Sequence, residues 1–366
     1  MDFSGRRPFP RLGKTIDSAY TQIDLIHLGI GAAHEYRAQA RKAAKNPEVT
    51  AKYKTVIRPY WKQFGVRMPK KFWFDLYANA RTGFSEKYIP DDLWYRYILP
   101  HYNHVPAAYA LQDKCALSEM FPDIRHPVTP VRNMSGAFFD EAKNRITAEE
   151  AAQLCLHRGR ILIKPSVGSG QGHGIRFFDS DALTAADVLK LFADYGQNFL
   201  VQEKLRQHDD LAALNPDSLN TLRIKTFLYD NRVRVLSSIV RVGRRHAELD
   251  NISQGGFGIP ILEDGRLGGT GVTYANGRMI YVDAFDDGRK FTDYGIPSYG
   301  RVIESVKALA AKTGYFRIIG WDLSVAADGE PVLIEYNVLP GGDQDICGPT
   351  FGDLTDNVLA EVFGRR

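Results

Sequence analysis

Gly320-Trp-Asp322-Leu-Ser-Val-Ala-Ala-Asp328-Gly329-Glu-Pro-Val-Leu-Ile-Glu335-Tyr-Asn337 is the stretch on which the fold turns. Asp-Gly between two β-rich runs is the strongest short-range hairpin signal, and a two-residue turn there predicts that Asp322 lies directly opposite Glu335. Two carboxylates facing each other on one sheet face, with Cβ atoms about 5 Å apart, repel unless positive charge lies between them. A divalent cation would supply it. Asn337 shares the face of Glu335 and pairs with Gly320, which leaves room for a ligand beside the amide. Carboxylate, carboxylate and amide oxygens suit Mg²⁺. Val332, Leu333 and Ile334 make the second strand apolar and buried, which argues against a solvent-facing acidic turn.

Upstream, the buried-strand run Arg160 to Lys164 leads into Pro-Ser166-Val-Gly168-Ser169-Gly170-Gln171-Gly172-His173-Gly174. Alternating glycines let backbone N–H groups turn toward an anion, and a lysine at the strand end adds positive charge. The loop does not end in Gly-Lys-Ser/Thr, does not open a helix with G-x-G-x-x-G, and follows its lysine strand rather than preceding it. Three familiar phosphate loops are thereby excluded. In Asn220-Thr-Leu-Arg223-Ile-Lys225, alternation puts Arg223 and Lys225 on one strand face and Leu222 and Ile224 on the other. Two cations on one face want an anion, Arg241 on the next long strand can join them, and guanidinium groups fit phosphate oxygens bidentately. Asn251 with Gly255-Gly256 forms another tight polar turn. Pro340-Gly341-Gly342-Asp343, polar and flexible, follows Asn337 directly and is expected to line an acceptor pocket.

The chain has 366 residues, 44% apolar and 25% charged, a composition of soluble globular proteins with room for about two domains. No apolar run approaches the ~20 residues of a membrane-spanning helix. Cys115, Cys155 and Cys347 show no metal or disulfide spacing, which points to a reducing cytoplasm and small core residues. Residues 1–71 hold 15 Lys+Arg against 5 Asp+Glu, although the whole chain is only +4. That basic excess is expected to face solvent, dock on the acidic remainder, or meet a phosphate-bearing or membrane-surface partner. No nucleic-acid-binding motif accompanies it. An amphipathic helix is expected from Thr15 to about Lys45, and short helices and loops across the aromatic residues 60–110. Thr147 and Glu150 have capping-box spacing for a helix to His157, and further helices are expected at Thr184–Tyr195, Ser298–Thr313 and about Asp353–Phe363. Strands dominate from Thr221 to Val282, so the class is α+β.

The order Asp113-Lys114, Ile-Lys164-Pro, the Gly-rich loop, Val-Gln202-Glu203-Lys204, Asn-Thr-Leu-Arg223, Asp322 and Glu335-x-Asn337 resembles the ATP-grasp superfamily. More narrowly, Tyr88-Ile-Pro and Asp-Asn251-x-Ser-Gln-Gly-Gly resemble the sugar-transfer-associated ATP-grasp proteins, relatives of α-L-glutamate ligases. The resemblance implies two α+β subdomains gripping ATP at about 111–200 and 201–366, behind a mainly helical, basic N-terminal region, 1–110. It implies that Lys114, Lys164 and the loop Ser166 to His173 contact the phosphates. Gln202, Glu203, Lys204 and Leu205 would form the adenine hinge, and His208 or Asp209 would reach the ribose. Asp322, Glu335 and Asn337 would hold Mg²⁺, with Arg223, Arg241 and Lys225 stabilising the transferred phosphoryl group. Asn251, Gly255, Gly256, Gly341, Gly342 and Asp343 are the substrate candidates. The implied activity joins a carboxylate to an amine through an acyl phosphate, releasing ADP and phosphate, in surface polysaccharide or peptide-like metabolite synthesis. The alternatives are phosphotransfer on the same fold and a nucleotide-binding scaffold in a glycan-assembly complex.

Overall fold

In the computed structural model, residues 41, 44–168, 172–275 and 278–364 are described. The helix expected from Thr15 to about Lys45 lies almost wholly outside them, as do Ser169, Gly170 and Gln171 of the Gly-rich loop. Among the described residues every strand pair is antiparallel and the strands fall into two sheets, in agreement with an α+β class.

The first sheet contains β1 (Val131–Met134), β2 (Ala137–Phe139), β3 (Arg145–Ile146), β4 (Arg160–Pro165), β5 (Arg176–Asp179) and β6 (Phe199–Glu203), in the order β3-β2-β1-β6-β4-β5. Two helices, Ala148–Cys155 and Ala185–Tyr195, supply its apolar cover. Both open on complete capping boxes, Thr147 with Glu150 and Thr184 with Asp187, so their first-turn N–H groups are satisfied before any packing occurs. Val131, Ile161, Ile163, Phe192 and Phe199 meet between helices and sheet.

The second sheet contains β7 (Thr221–Tyr229), β8 (Arg232–Val242), β9 (Phe257–Pro260), β10 (Gly271–Ala275), β11 (Arg278–Val282), β12 (Ile318–Val325) and β13 (Pro331–Asn337), in the order β11-β10-β9-β8-β7-β12-β13. The helix Tyr299–Ala311 packs across β7, β8 and β12, with Val302, Val306 and Leu309 in one cluster with Leu222 and Ile224. The opposite face of β7 is therefore left to Arg223 and Lys225.

The β12–β13 hairpin reaches its expected register by an unexpected route. Ala326 and Glu330 close the turn, with Ala326 N–H donating to Glu330 O at 2.9 Å and Gly329 N–H to Ala326 O at 2.8 Å. Its loop thus has three residues, Ala327 to Gly329, rather than two. Gly329 takes φ +81°, the left-handed position such loops reserve for glycine. The extra residue shifts the pairing by one, to Leu323 opposite Leu333, and a bulge at Ile334 shifts it back. Asp322 ends opposite Glu335, and Gly320 opposite Asn337, as expected. The bulge sits beside the two carboxylates, where bulges re-aim side chains.

An aromatic layer built from residues 47–111 packs against the second sheet and the C-terminal helix Thr355–Phe363. Trp61, Trp73, Trp94 and Tyr88 are fully buried in it, in one cluster with Phe227, Ile318 and Phe351. Asn103 stitches this layer to the hairpin: its amide donates to Ile318 O (2.7 Å) and Val338 O (2.6 Å) and accepts from the Arg317 and Ile318 amides at 2.9 Å. The Gln344 side chain bonds both backbone groups of Ile89, and Trp94 Nε1 donates to Pro340 O at 2.8 Å. The stretch Pro340 to Asp345, expected to be flexible, is instead held from both sides by buried hydrogen bonds, each costing about 1–3 kcal/mol to leave unmade. Among the described residues no helix is long and apolar enough to cross a membrane.

Asp91 lies inside this layer and accepts from the Tyr77 hydroxyl at 2.7 Å. Burial, with Asp345 adding to it, pushes its carboxyl up to about 7, against opposition from Tyr77 and Lys225. A carboxyl that binds its proton more tightly when folded makes the fold less stable as pH rises from about 4 through about 7. Thermal melts should therefore show Asp91→Asn gaining stability relative to the parent as pH climbs through that window. Equal pH slopes for the two proteins would refute the assignment.

Candidate active site

Asp322 is the most deeply placed carboxylate of the hairpin, 1% exposed. Its cross-strand neighbour on β7 is Arg223. Arg223 engages it through both arms, Nε to Oδ1 and Nη2 to Oδ2, the latter at 2.8 Å. Arg241, reaching over from β8, places Nη2 at 3.1 Å from Asp322 Oδ2. Burial alone would push the Asp322 carboxyl up, but Arg223 and Arg241 together hold it well below the usual carboxylate range. The guanidinium of Arg223 is held above its ordinary value by the same pairing, although its burial works the other way. Arg241 is fixed in turn by Thr221, whose Oγ1 accepts from its Nε and Nη2 at 3.0 and 2.8 Å and donates to Asp250. Asp250 and Thr221 had no functional reading in the sequence. Asp250 stands next to the noted Asn251 turn, and Thr221 is directly across the ladder from Arg241.

This arrangement corrects the electrostatic premise of the hairpin. The repulsion between Asp322 and Glu335 is relieved by side chains: Arg223 and Arg241 on Asp322, and Lys114, whose Nζ lies 3.5 Å from Glu335 Oε2. A metal ion is not needed to make the pair tolerable. Nor is there an open space beside Gly320, because a Cβ there would meet Pro340 at 3.0 Å and Arg223 Cδ at 3.3 Å. The donor chemistry still fits a divalent cation, which favours oxygen ligands. Glu335 is half-buried, with Lys114 Nζ and Asn337 Nδ2 each 3.5 Å from its carboxylate and Asp322 alongside it. Asn337 Nδ2 also reaches Asp322 Oδ2 at 3.3 Å, so rotating this amide would turn its oxygen to the same place. Asp322 Oδ1 receives Arg223 Nε, and a carboxylate oxygen has a second lone-pair direction to offer. Among the described residues, no group of three or more His, Cys, Asp or Glu is placed to hold a metal; this set has two carboxylates and an amide.

Lys164, near the end of β4, and Lys114, on the short helical turn Lys114–Ala116 beside that strand end, approach from the side of the first sheet. The Lys114 amide donates to Ser166 O at 3.0 Å, which ties the short helical turn after Asp113 to the strand end that carries Lys164. Ser166 is fully buried. Burial and the neighbouring Lys114 push the Lys164 amine down to about 8, with Glu335 opposing. In the loop, Gly168, Gly172 and Gly174 all have positive φ, and a Cβ on Gly174 would come within 2.9 Å of Pro165. Gly172 lies against Leu249 of the second sheet's β8–β9 connection, where Arg160 also meets Glu248. His173 is exposed.

The expected hinge is more occupied than its sequence suggests. Gln202 is buried with its amide on Thr129 Oγ1, Glu203 pairs with Arg158 at 2.6 Å, and Lys204 Nζ donates to Asp217 O. Leu205 is half-buried, His208 caps the short helix Asp209–Ala212, and Asp209 is exposed. Asn251 caps the turn Ile252–Gln254; Gly255 is left-handed, and a Cβ on Gly256 would stand 2.9 Å from two backbone oxygens. Those three residues have local structural work. Lys225 is fully buried and pairs with Asp343 at 2.6 Å, so it sits away from Asp322 on a second ion pair. Cys115 and Cys155 are buried thiols, pushed up to about 12 by burial.

A family model described as sugar-transfer associated ATP-grasp matches residues 95–348, and the chain belongs to that family. No curated protein matches the sequence. Among solved structures, the chain is similar to the ATP-grasp ligase PsnB complexed with minimal precursor, at 17% identity over 71% of this chain and 64% of that one, TM-score 0.38. It is also similar to D-cycloserine synthetase DcsG, at 14% identity over 69% and 72%, TM-score 0.40, and to L-amino acid ligase from Bacillus licheniformis, at 12% over 70% and 49%, TM-score 0.38. The chain spans less than two thirds of the length of the PsnB chains.

Two measurements follow from this geometry. Arg223→Met leaves a buried carboxylate with Arg241 alone and should lower stability by about 3 kcal/mol in urea melts; a loss within error of zero would show that Arg241 suffices. Lys164 was expected to contact the nucleotide phosphates, and it attracts an anion only while protonated; on that expectation nucleotide affinity should fall above about pH 8, by up to about tenfold per pH unit. Lys164→Arg, which stays charged, should flatten that curve. A flat curve for the parent chain would contradict the role of Lys164.

Proposed function

We propose that the protein is an ATP-dependent carboxylate–amine ligase that works through an acyl phosphate. The observation that carries this reading is the row of charges on one face of the β8–β7–β12–β13 surface, Arg241, Arg223, Asp322 and Glu335, capped by Lys114 and Lys164 from the other sheet. Phosphoryl transfer leaves a protein little to do but position its reactants and neutralise charge, and this row is suited to both.

In this reading Lys114, Lys164 and the Gly168–Gly174 loop hold the phosphates, and the segment Gln202–Leu205 lies along the base, with Asp209 near the ribose. Glu335, Asn337 and Asp322 Oδ1 would hold Mg²⁺. When bound, that ion draws charge from the phosphate oxygens. Arg223 and Arg241 lie beside the position of the transferred phosphoryl group. The donor carboxylate attacks the terminal phosphorus and ADP departs; the neutral amine then adds to the acyl carbon, the C–O bond breaks with its electron pair leaving on phosphate, and the nitrogen gives up one proton to the departing phosphate. Gly341, Gly342 and Asp343 border the acceptor. The family's description supports a role near sugar transfer, with surface polysaccharide as the setting, and the chemistry needs no nucleophile from the protein.

Hydroxylamine trapping tests the proposal. With MgATP and pooled amino acids, sugar acids and short peptides, the protein should release ADP and form a hydroxamate. Glu335→Gln should reduce both by at least ~100-fold while keeping its circular dichroism. A phosphorylated alcohol without hydroxamate would replace the ligase with a phosphotransferase, and undiminished turnover by the variant would overturn the metal assignment.

A further inference from the structure

A groove of about 640 Å³ lies where three segments distant in sequence meet: the helix Arg58–Lys62 with the two residues after it, the end of β7, and the C-terminal helix Thr355–Phe363. It shares no residue with the phosphate-facing row, and its volume falls within the ~300–1,000 Å³ of small-ligand sites. Tyr60, Phe64 and Tyr229 are its half-buried aromatic walls, and Gln63, Asp356, Asn357 and Ala360 form its exposed rim. Tyr60 and Phe64 meet edge to face, their centroids 5.4 Å apart at 73°, so the two rings set walls nearly at right angles instead of covering each other. Asp356, Asn357 and Ala360 neighbour one another on the C-terminal helix, and the small side chain of Ala360 keeps that face low.

The charge in the groove is already matched. Asp356 is the one charged residue that lines it. The Tyr60 hydroxyl donates to its Oδ1 at 2.6 Å and Lys87 Nζ to its Oδ2 at 2.9 Å. Those bonds orient the carboxylate and hold it below its ordinary value, while burial and Asp356 push the Tyr60 phenol up and keep it protonated. Asn357 stands beside the Tyr229 hydroxyl, as does Glu361. The Gln63 side chain makes no hydrogen bond among the described residues. An anion would find no free cation on these walls, an amine no unmatched carboxylate, and a wholly apolar ligand would strip water from the rim without replacing its hydrogen bonds.

A neutral ring with many hydroxyls meets all of these conditions. The C–H groups on the flat face of a pyranose are polarised by the neighbouring oxygens and suit the negative face of an aromatic ring. Primary amides offer both donors and acceptors to its hydroxyls, and an ionised carboxylate accepts from them. Proline-rich peptides also favour aromatic walls, but a proline has no N–H to give to Asp356, which can only accept. We infer that this groove binds a short neutral saccharide, its rings against Tyr60, Phe64 and Tyr229 and its hydroxyls on Gln63, Asn357 and Asp356. Tyr229 and Arg223 stand on the same strand, β7, six residues or roughly 20 Å apart, so a sugar held here is not the reacting group. The groove anchors a glycan at a distance from the charged row, and it does so whichever reaction that row performs.

Saturation-transfer NMR on the full chain tests this, with maltotriose, cellotriose and mannotriose as probes, trigalacturonate as the charged control and hexaproline as the competing class. At least one neutral trisaccharide should bind, with its strongest saturation on the C–H groups of one ring face, and trigalacturonate should not compete with it. Ala360→Leu introduces a good helix former at an exposed helix position. By filling the groove it should weaken the saccharide at least about tenfold. Gln63→Ala, which removes a side chain without a partner, should weaken it about threefold. Both variants should keep the melting temperature, MgADP affinity and hydroxamate yield of the parent, so loss of the saccharide is read separately from any loss of ligase chemistry. Silence from all three neutral trisaccharides at millimolar concentration, or equal binding by Ala360→Leu, overturns the inference. Hexaproline that binds the parent and is lost in Ala360→Leu, with no saccharide bound, replaces it with a peptide site.

Discussion

Asp322 is a buried carboxylate shared by two arginines from two different strands, and much of the second sheet is arranged around that fact. An ionised carboxylate cannot be taken out of water without partners that return most of its lost hydration energy. Arg223 supplies a two-armed contact from β7, and Arg241 supplies a second charge from β8. Thr221 and Asp250 then orient Arg241. The row of charge is therefore preorganised in the protein itself. Guanidinium groups that are already held in place need not reorganise when a phosphate arrives, which is the condition under which electrostatic stabilisation is most effective.

The hairpin shows which parts of this were legible in the sequence and which were not. Period-2 alternation correctly put Arg223 and Lys225 on one face, because the apolar Leu222 and Ile224 must face the helix Tyr299–Ala311. The pairing of Asp322 with Glu335 was also legible, although a three-residue turn and a compensating bulge stand where a two-residue turn was expected. Turn chemistry reports that a hairpin exists far better than it reports loop length, and a bulge leaves no mark on alternation when it falls at a half-buried Ile334. The capping boxes at Thr147 and Thr184 are local devices, and such devices survive into structure because they need no distant partner.

Apart from that turn and bulge, what the sequence concealed is long-range. Asp322's repulsion from Glu335 suggested a missing cation, and the actual cations were two arginines already singled out for a different purpose. Gln344 bonding Ile89, Trp94 bonding Pro340 and Asp343 pairing with Lys225 join residues more than a hundred positions apart. No spacing rule connects them. The aromatic residues 60–110 read as helices and loops packed on a neighbour, and that neighbour is the loop after Asn337 as well as the sheet. The N-terminal aromatic layer thereby sets the shape of the segment that follows the proposed metal ligands.

The most direct measurement is a crystal structure of the full chain with Mg²⁺ and a non-hydrolysable ATP analogue. The account predicts the terminal phosphate between Arg223 and the Lys114–Lys164 pair, with the metal on Glu335 and Asn337 and with Asp322 still held by at least one arginine. A nucleotide bound elsewhere, or phosphates that leave the Arg223–Arg241 row unaddressed, would contradict it.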